Sequence, residues 1–375
     1  MGRRQCAVEA QLMFGHSYRG RRVLITGHTG FKGSWLAHWL TRLGAEVAGY
    51  SLYIPSQPAN FEVLGLQTRV AHHTGDVRDY AALASVLADF RPELVFHLAA
   101  QAIVRKSYDD PKLTFDTNLG GTVNVLEALR TTPSATAAVL ITSDKCYENV
   151  EWEWGYRETD QLGGKDPYSA SKACAEIAIS AYTRSYLAPA GKFVASTRAG
   201  NVIGGGDWAA DRIVPDCVRA WAAGKTAPLR SPQATRPWQH VLEPVGGYLW
   251  LGARLLAGDA RVAGEAFNFG PQAQVNQPVA ELVEEMAKLW PGARWEAGAD
   301  AAGKAEAGLL KLNCDKALAR LAWRPTLAFA EGVKLTAEWY ARYYSGEQDM
   351  RAITDVQIDY YARRAAEQGI AWAND

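Results

Sequence analysis

Hydrophobic residues along this chain fall into two alternating patterns. The first consists of short runs with few polar interruptions, as expected for strands that are buried on both faces of a parallel sheet. These runs lie at 23–25, 45–50, 70–73, 94–101, 138–142, 193–199 and 266–270. Between most of them, apolar residues recur every three or four positions, which predicts helices covering the sheet. The alternation predicts an α/β fold, namely a Rossmann-type, doubly wound parallel sheet.

The helical pattern is clearest at 80–90, where five apolar side chains form one stripe. They are Tyr80, Leu83, Val86, Leu87 and Phe90. The same periodicity predicts helices elsewhere, and these lie at 35–43, 118–130, 167–186, 213–222, 282–289 and 327–344.

The pattern changes after residue 200, where loops and short elements replace the regular alternation. We therefore expect a smaller, mixed α/β lobe that is inserted at the carboxyl edge of the sheet and binds the substrate. The expected parts are a poorly ordered leader (1–18), a dinucleotide-binding domain (19–200, with a returning segment at about 240–275 and a helix at about 327–345), the lobe (about 201–239 and 276–326) and a C-terminal tail (346–375).

A glycine-rich turn joins the first strand to the first helix. It has the sequence Gly27-His28-Thr29-Gly30-Phe31-Lys32-Gly33. Backbone N–H groups at a helix N-terminus attract an anion, and glycine lets a pyrophosphate approach the backbone closely. The strand before this turn and the helix after it therefore predict a dinucleotide site. We expect His28 and Lys32 to supply donors or positive charge to the phosphates.

The residues at the ends of the next strands give weaker evidence about which cofactor is bound. The second strand ends at Tyr50–Tyr53, without the acidic residue that holds the ribose of NAD or the arginine that accepts NADP. These residues leave the choice between the two cofactors open and predict modest cofactor affinity. Asp76 is suited to accept a hydrogen bond from the adenine amino group and to cap the helix that begins at Tyr80, and the two roles are compatible. His97, within the fourth strand, is expected to be a core residue.

Two further stretches carry residues suited to acid–base chemistry. The fifth strand leads into Ser143-Asp144-Lys145, at the edge where open α/β sheets bind their ligands. Tyr168 and Lys172 are four residues apart near the start of a helix, so they lie on one face of it. Because an ammonium group beside a phenol favours the phenolate, we expect Lys172 to lower the pKa of Tyr168.

The composition argues against several classes of protein. Lys+Arg and Asp+Glu both number 40 in 375 residues, so no overall charge attracts nucleic acid or an anionic membrane. No apolar run approaches the roughly 18 residues of a membrane span, and no signal peptide is evident. The five cysteines are widely spaced without a C-x-x-C motif. This favours reduced thiols in a cytoplasmic protein and predicts neither disulfides nor a bound metal.

Six features occur in an order that resembles the extended short-chain dehydrogenase/reductase superfamily of NAD-dependent epimerases and dehydratases. They are the glycine turn, Asp76, Ala99-Ala100, Asn118, Ser143 and the Tyr168/Lys172 pair. The likeness covers about 20–345. Four longer strings are similar to the CDP-glucose 4,6-dehydratases within that superfamily. They lie at 27–36, 142–147, 198–208 and 236–244.

The resemblance implies contacts to NAD and to a nucleotide sugar, CDP-glucose. The implied cofactor contacts are Thr26, Gly27, His28, Thr29, Gly30, Phe31, Lys32, Gly33, Asp76, Val77, Leu98, Ala99, Ala100, Gln101, Asn118, Tyr168 and Lys172. The implied substrate contacts are Arg105, Ser143, Arg198, Asn201, Arg212, Arg236 and Asn268. Arginines suit a nucleoside diphosphate because their planar guanidinium groups bind phosphate in a bidentate manner.

The resemblance also implies an internal redox cycle. Tyr168 takes the proton of the sugar 4-hydroxyl while hydride leaves C4 for the nicotinamide, and Ser143 hydrogen-bonds the same oxygen. Asp144 then protonates the departing 6-hydroxyl, which requires a pKa raised by burial. Hydride returns to C6, and a 4-keto-6-deoxy sugar nucleotide results. The implied activity is that of a hydro-lyase that supplies deoxysugars for polysaccharides such as O-antigen.

Lys145 occupies the position at which related dTDP-glucose enzymes carry the glutamate that removes the C5 proton. A lysine can act as this base only when neutral, which requires burial or cationic neighbours to lower its pKa by roughly three units. The alternative is a charged Lys145 that orients the substrate or stabilises the enolate oxygen.

Two other functions are weaker alternatives to the dehydratase. A 4-epimerase acting on another nucleotide sugar has no need of an acid beside Ser143, so Asp144-Lys145 argues against it. A non-catalytic NAD-binding homologue would not need both Tyr168 and Lys172. The superfamily pairs helices such as 118–130 and 168–186 across a twofold axis, so we expect a homodimer formed through a helix bundle.

Overall fold

The computed structural model describes residues 13–298, 309–347 and 349–374. These residues contain thirteen strands. In chain order they are β1 (Arg22–Thr26), β2 (Glu46–Ser51), β3 (Ala71–Thr74), β4 (Leu94–His97), β5 (Ala137–Ile141), β6 (Phe193–Ala199), β7 (Val202–Ile203), β8 (Ala227–Leu229), β9 (Thr235–Arg236), β10 (Gln239–His240), β11 (Ala266–Phe269), β12 (Gln277–Pro278) and β13 (Trp295–Ala297). Seven of them form one sheet in the order β3-β2-β1-β4-β5-β6-β11, and every neighbouring pair is parallel. The predicted doubly wound parallel sheet is confirmed.

Thirteen α-helices accompany the strands within the described residues. In chain order they are α1 (Phe31–Arg42), α2 (Asn60–Val63), α3 (Tyr80–Phe90), α4 (Val104–Asp109), α5 (Pro111–Phe115), α6 (Gly121–Thr131), α7 (Pro167–Tyr182), α8 (Ile213–Ala222), α9 (Leu242–Leu256), α10 (Val279–Ala287), α11 (Asp315–Leu321), α12 (Phe329–Tyr344) and α13 (Met350–Glu367). A π-helical turn at Thr183–Leu187 continues α7. In these parts of the chain, no helix is both long enough and apolar enough to cross a membrane.

The two faces of the sheet carry separate hydrophobic clusters. Val23 and Ile25 of β1 belong to one cluster and Leu24 belongs to the other, as the two-residue period of a strand requires. All three side chains are fully buried because helices cover both faces. This double coverage explains why the sequences of the central strands are almost continuously apolar.

The chain after β6 forms a smaller set of two-stranded pairs. β8 pairs with β13, and β9 pairs with β12, so the segments at 201–239 and 276–298 are joined by hydrogen bonds. β7 pairs with β10. This pairing supports a lobe built from two insertions, although residues 299–308 lie outside the described part of the chain.

The prediction of a poorly ordered leader at 1–18 is wrong for residues 13–18, and residues 1–12 lie outside the described part of the chain. Met13–His16 form a short 3-10 turn, and the side chains of Phe14 and Tyr18 are fully buried. The Phe14 ring stacks on Trp372 with the ring centroids 5.0 Å apart. This packing was not predictable, because two isolated aromatic residues show no helical or strand periodicity.

The predicted tail also belongs to the packed structure. It contains α13, whose N-cap Asp349 accepts a hydrogen bond from Ala352 N. Tyr361 of this helix is fully buried. Two of its carboxylates bind α1: Asp359 Oδ1 lies 2.7 Å from Arg42 Nη2, and Asp355 Oδ1 lies 2.7 Å from His38 Nε2. The charged side chains of this segment therefore hold α13 against α1.

Candidate active site

The glycine turn lies at the carboxyl end of β1. Gly27 has a φ of +79°, and a Cβ there would lie 2.7 Å from the backbone nitrogen of Ala99. A Cβ on Gly33 would lie 2.1 Å from the Gly27 carbonyl oxygen. Gly30 is the N-cap of α1 and provides no side-chain cap to the first N–H groups of the helix. The turn thus has the close backbone packing and the open helix end that a pyrophosphate requires.

His28 does not supply charge to this turn, contrary to the prediction. Its ring is fully buried, with Nδ1 2.8 Å from Ser51 Oγ and Nε2 2.7 Å from His72 Nδ1. Burial lowers the pKa of His28 to about 3, and the charge of His72 acts in the same direction, so the ring is neutral. Thr29 Oγ1 donates to the Tyr53 carbonyl oxygen at 2.8 Å. Both side chains therefore fasten the end of β2 to the turn.

Lys32 is the cation of the turn. Its ammonium group lies 5.9 Å from the centre of the Tyr248 ring. Burial lowers the pKa of Lys32 to about 8; the charge of Arg212 acts in the same direction, and that of Asp144 opposes both. Lys32 is therefore within electrostatic reach of the predicted acid as well as of the phosphate site. Phe31 precedes it as the first residue of α1.

Asp76 follows β3, and its carboxylate is bound by Arg78. Arg78 Nε lies 2.9 and 3.0 Å from the two carboxylate oxygens, and this hydrogen bonding is the main cause that lowers the pKa of Asp76. The prediction that Asp76 caps α3 is wrong, because Asp79 is the cap and accepts from Ala82 N at 3.0 Å. Val77 is buried. An adenine amino group would have to share Asp76 with Arg78.

The segment Leu98–Gln101 after β4 is half-buried and faces the glycine turn. Asn118 fixes it, since Asn118 Oδ1 accepts from Gln101 N at 2.8 Å and Nδ2 donates to the Gln101 carbonyl oxygen at 3.1 Å. Nδ2 also donates to Ser171 Oγ at 2.9 Å. Because both polar atoms of Asn118 are bound to protein groups, this residue shapes the wall of the site, which differs from the predicted direct contact with the cofactor.

Thr26 and His97 lie beneath this wall. Thr26 Oγ1 is 2.7 Å from His97 Nδ1, and His97 Nε2 is 3.1 Å from Thr122 Oγ1. Burial lowers the pKa of His97 to about 3, and the charge of Lys172 acts in the same direction. His97 is therefore a neutral core residue, as expected from the sequence.

Ser143 and Asp144 follow β5 and are buried at the same edge of the sheet. Ser143 Oγ donates to Asp144 Oδ1 at 3.0 Å and accepts from Lys145 N at 3.2 Å. The carboxyl group of Asp144 lies against Gly200, where a Cβ would be 2.8 Å from Oδ2. Burial raises the pKa of Asp144, although the charges of Lys145 and Lys32 oppose this. A raised pKa is the direction of shift that a general acid needs.

Tyr168 and Lys172 lie on the first turns of α7 and are both buried. The helix begins at Pro167, and Asp166 caps it by accepting from Ser169 N at 3.0 Å. This cap and the proline fix where the helix starts, and so determine which side chains of its first turns face the sheet edge.

The pKa of Tyr168 is raised to about 12, contrary to the expectation that Lys172 would lower it. Burial is the main cause and the charge of Asp144 adds to it, whereas the hydrogen bond with Ser143 and the charge of Arg212 act in the opposite direction. Burial also lowers the pKa of Lys172 to about 8, and the charge of Lys32 adds to that shift. Desolvation therefore outweighs the pairing inferred from the i, i+4 spacing.

Lys145 lies in the 3-10 turn Asp144–Cys146 and is half-buried. Its charge opposes the raised pKa of Asp144, so the two groups are close. The geometry fits a cation beside the acid as well as it fits a base.

Arg198 and Asn268 are buried and bound to protein groups, so their contacts give no support to the prediction that they bind substrate. Arg198 Nη2 lies 2.8 Å from Glu176 Oε2 and Nη1 donates to the Tyr147 hydroxyl at 2.7 Å. Asn268 Oδ1 accepts from the same hydroxyl at 2.8 Å, and its Nδ2 donates to the Tyr156 carbonyl oxygen. Both residues are buried beneath the catalytic segment, where these groups already have protein partners.

The other predicted substrate contacts are half-buried. Arg212 Nη1 lies 2.7 Å from Asp207 Oδ2, and its charge influences the pKa of Tyr168. Arg236 lies in β9 and donates from Nη1 to its neighbour's carbonyl oxygen. Arg105 lies in α4, and Asn201 follows β6. These four residues remain candidates, and Arg212 has the most direct link to the catalytic residues.

The loop 204–206 after β7 packs closely against α1 and is hydrogen-bonded to it. Trp35 Nε1 donates to the Gly205 carbonyl oxygen at 2.8 Å. A Cβ on Gly204 would lie 3.1 Å from Phe31 Cζ, and one on Gly205 would lie 2.1 Å from the Trp339 ring. The loop leads directly to Asp207 and Arg212. The helix of the phosphate site and the candidate substrate residues therefore share one wall.

Three residues of the site were not identified from the sequence: Glu176, Tyr147 and Gly200. Glu176 is one turn after Lys172 on α7, so its helical spacing could have indicated it. The role of Gly200 is to leave space for Asp144, and no local sequence pattern reports such a contact.

The chain matches the family model described as GDP-mannose 4,6 dehydratase over residues 24–336. The chain belongs to this family. It is 45% identical over 350 residues to the CDP-glucose 4,6-dehydratase of Salmonella typhimurium, with 92% of this chain and 97% of that protein covered. The superfamily resemblance seen in the sequence is confirmed.

Two solved structures with similar folds carry NAD. The dTDP-glucose 4,6-dehydratase DesIV of Streptomyces venezuelae, solved with NAD bound, has a TM-score of 0.72 and 25% identity, and the match covers 88% of this chain and 99% of DesIV. The UDP-glucose 4-epimerase of Thermus thermophilus, in complex with NAD, has a TM-score of 0.72 and 27% identity, and the match covers 87% and 99% of the two chains. Dehydratases and epimerases therefore share this fold, and the activity must be inferred from the site.

Proposed function

We propose that this protein is a NAD-dependent hydro-lyase that converts CDP-D-glucose to CDP-4-dehydro-6-deoxy-D-glucose. The observation that carries the proposal is the buried Asp144 beside Ser143, at the same sheet edge as Tyr168 and Lys172. An epimerase needs the tyrosine and the lysine but has no use for an acid at this point. The 45% identical relative is named for this activity.

The glycine turn fits the pyrophosphate of NAD. Its tight packing against Ala99 excludes side chains at Gly27, and the uncapped start of α1 favours an anion. When bound, NAD supplies a hydride acceptor for C4 and a hydride donor for C6, so that it is regenerated in each cycle. The half-buried residues Ala99 and Ala100 are small enough to let a flat ring approach.

Tyr168 accepts the proton of the sugar 4-hydroxyl, and Ser143 orients the same oxygen. Because burial raises the pKa of Tyr168 to about 12, the phenol is protonated near neutral pH. Positive charge near the phenol is therefore needed for the first step. Arg212 is the cation of this chain whose charge lowers the pKa of the phenol, and Lys172, one helical turn from Tyr168, is the second proposed source of positive charge.

Asp144 donates a proton to the departing 6-hydroxyl, for which its raised pKa suits it. Lys145 is the candidate for removal of the C5 proton, which the new 4-ketone acidifies. Arg105, Asn201, Arg212 and Arg236 are the proposed contacts to the nucleoside diphosphate and the sugar.

The assembly and location are part of the proposal. Ile177 and Tyr186, on α7 and its π-helical continuation, are 59% and 52% exposed, which supports a homodimer formed through this helix. Four cysteines in the described residues are unpaired, which supports a reducing cytoplasm. Light scattering on a sizing column should give twice the chain mass, and a monomer there would contradict the dimer.

The test of the activity is incubation with CDP-glucose and NAD, followed by detection of the alkali-induced absorbance of a 4-keto sugar. UDP-glucose, dTDP-glucose and GDP-mannose serve as competing substrates. We expect CDP-glucose to give the highest kcat/KM and Tyr168→Phe to give no product. Formation of CDP-galactose without a keto sugar would identify an epimerase instead.

The role of Lys145 needs its own variants. If Lys145 is the C5 base, Lys145→Ala should still reduce NAD on mixing with substrate but should then accumulate enzyme-bound NADH, with little solvent deuterium entering C5. Lys145→Glu should recover part of the elimination. A Lys145→Ala variant that fails to reduce NAD would place the residue in binding or in the ionisation of Tyr168.

A further inference from the structure

A buried ion pair lies beneath the catalytic residues, and the chemistry described above does not use it. Glu176 of α7 and Arg198 of β6 have side chains that are 3% and 4% exposed, and their N–O distance is 2.8 Å. Desolvation of two charges makes such a pair a poor source of stability, because well-packed apolar side chains are often at least as stable. The pair therefore suggests a second role.

Glu176 binds the strand that leads into the catalytic segment. Its carboxylate accepts hydrogen bonds from Thr142 Oγ1 and from Ser196 Oγ, the latter at 2.8 Å. Thr142 is the residue directly before Ser143. One carboxylate thus joins α7 to the residue that follows β5 and to the middle of β6.

Arg198 binds the other end of the same segment. Its Nη1 donates to the Tyr147 hydroxyl at 2.7 Å, and its guanidinium carbon lies 4.8 Å from the centre of the Tyr147 ring. The Tyr147 hydroxyl in turn donates to Asn268 Oδ1 at 2.8 Å. The residues between Thr142 and Tyr147 are therefore held at both ends by the ion pair.

We propose that Glu176 is a positioning residue: through Thr142 and Arg198 it fixes the segment 143–146 against α7, and its negative charge lies one helical turn from Lys172. The proposal rests on the proposed function, because Ser143 and Asp144 must be in register with Tyr168 for both proton transfers. The carboxylate is ionised in the folded protein. Burial alone would raise the pKa of Glu176, but Arg198 and the two hydroxyls outweigh burial and lower it.

The charge of Glu176 also acts on Lys172. Four titratable groups interact electrostatically with Lys172. They are Lys32 of α1, His97 of β4, Cys146 of the catalytic segment and Glu176 of the same helix. Burial and Lys32 lower the pKa of Lys172, whereas Glu176 opposes them. Removal of the negative charge should therefore lower the pKa of Lys172 further, and the ammonium form should be lost at a lower pH.

The test compares Glu176→Gln with the native enzyme across pH. We expect kcat to fall at least tenfold with KM for CDP-glucose changed less than twofold, and the high-pH limb of the NAD-reduction rate to move to lower pH by half a unit or more. Glu176→Asp, which keeps the charge, should return that limb toward its native position. Glu243→Gln is the matched control, since Glu243 is a buried carboxylate bound to Thr326 N, Leu327 N and the Tyr361 hydroxyl. It should leave the limb in place.

Loss of stability is separated from loss of positioning by a second variant. Glu176→Gln leaves Arg198 as an unpaired buried charge, so it should lower Tm; Glu176→Gln with Arg198→Met removes both charges and should recover Tm. The double variant should still lack the native pH limb. If it regains the native kcat and pH profile, or if Glu176→Gln loses activity only in proportion to its unfolded fraction, the proposal is overturned.

A readout that needs no turnover distinguishes this proposal from the proposed function. NMR titration of isotope-labelled lysine, with Lys172 assigned from Lys172→Arg, should show a lower Lys172 pKa in Glu176→Gln than in the native chain. An unchanged Lys172 pKa would overturn the electrostatic part of the proposal. A native chain that binds NAD but does not act on CDP-glucose would instead refute the proposed function.

Discussion

Substitution of Gly200 by alanine tests whether Asp144 must lie in its present position. Gly200 follows β6, and a Cβ there would lie 2.8 Å from Asp144 Oδ2. Ordinary van der Waals contact begins near 3.4 Å, so the carboxyl group would have to move by about 0.6 Å. Because the atom that must move is the end of a side chain, the fold should tolerate the change, with a loss of about 1 kcal/mol or less.

The expected cost lies in the elimination step. A displacement of about 1 Å in a reacting group costs roughly 100-fold in rate, so about 0.6 Å should cost of the order of tenfold. This corresponds to about 1.4 kcal/mol in the activation free energy. Tyr168 and Ser143 carry out the first oxidation, so NAD reduction should keep its native rate. Rapid mixing with CDP-glucose should therefore show a transient accumulation of NADH that the native enzyme lacks.

Two controls make the result specific. A Cβ on Gly120 would meet no atom within 4 Å, so Gly120→Ala should behave like the native enzyme. Gly200→Ala should also add nothing to Asp144→Asn, because both changes act on one group. The reasoning is refuted if Gly200→Ala has native kcat, or if it slows NAD reduction as much as it slows turnover.

Three further predictions concern other parts of the chain. Phe14→Ala should lower the free energy of unfolding by about 3–5 kcal/mol in denaturant titration, and an unchanged midpoint would contradict the packing of residues 13–18. Burial raises the pKa of Glu243 from 4.5 to about 7, so its stabilising contribution is complete below about pH 4.5 and is lost as pH rises through 7. Glu243→Gln should remove this loss, whereas parallel plots of Tm against pH for the two proteins would argue against it. Arg236→Ala should raise KM for CDP-glucose at least tenfold while NAD affinity stays native; normal binding of both ligands would make Arg236 structural.

Regular elements were predictable because their apolar periodicity survives in the sequence. Helix α3 matches its predicted bounds at 80–90, and β6 matches at 193–199. In each, burial selects side chains at a fixed spacing. The aromatic residues Phe14 and Trp372 showed no such periodicity, because they pack against each other and against Trp39 across long sequence separations.

The chemistry of the site was predictable in its residue types but only partly in its geometry. A strand places Arg198 on one face or the other, and its sequence cannot show that the guanidinium meets Glu176 rather than a phosphate. The pKa of Tyr168 was predicted in the wrong direction for a related reason. The i, i+4 spacing reports the distance to Lys172, whereas the shift depends chiefly on burial by the whole fold.

The contact between α1 and the loop 204–206 links the binding of the cofactor to the binding of the nucleotide sugar. The helix that offers its N-terminus to the pyrophosphate also carries Trp35, which holds the loop leading to Arg212. We expect a ligand that shifts one side of this wall to change the binding free energy of a ligand on the other side, and such a coupling is reciprocal. If the bound nucleotide sugar raises the affinity for the cofactor by some factor, the bound cofactor must raise the affinity for the nucleotide sugar by the same factor. Cofactor affinity measured on the protein alone therefore differs by this factor from the affinity that operates during turnover.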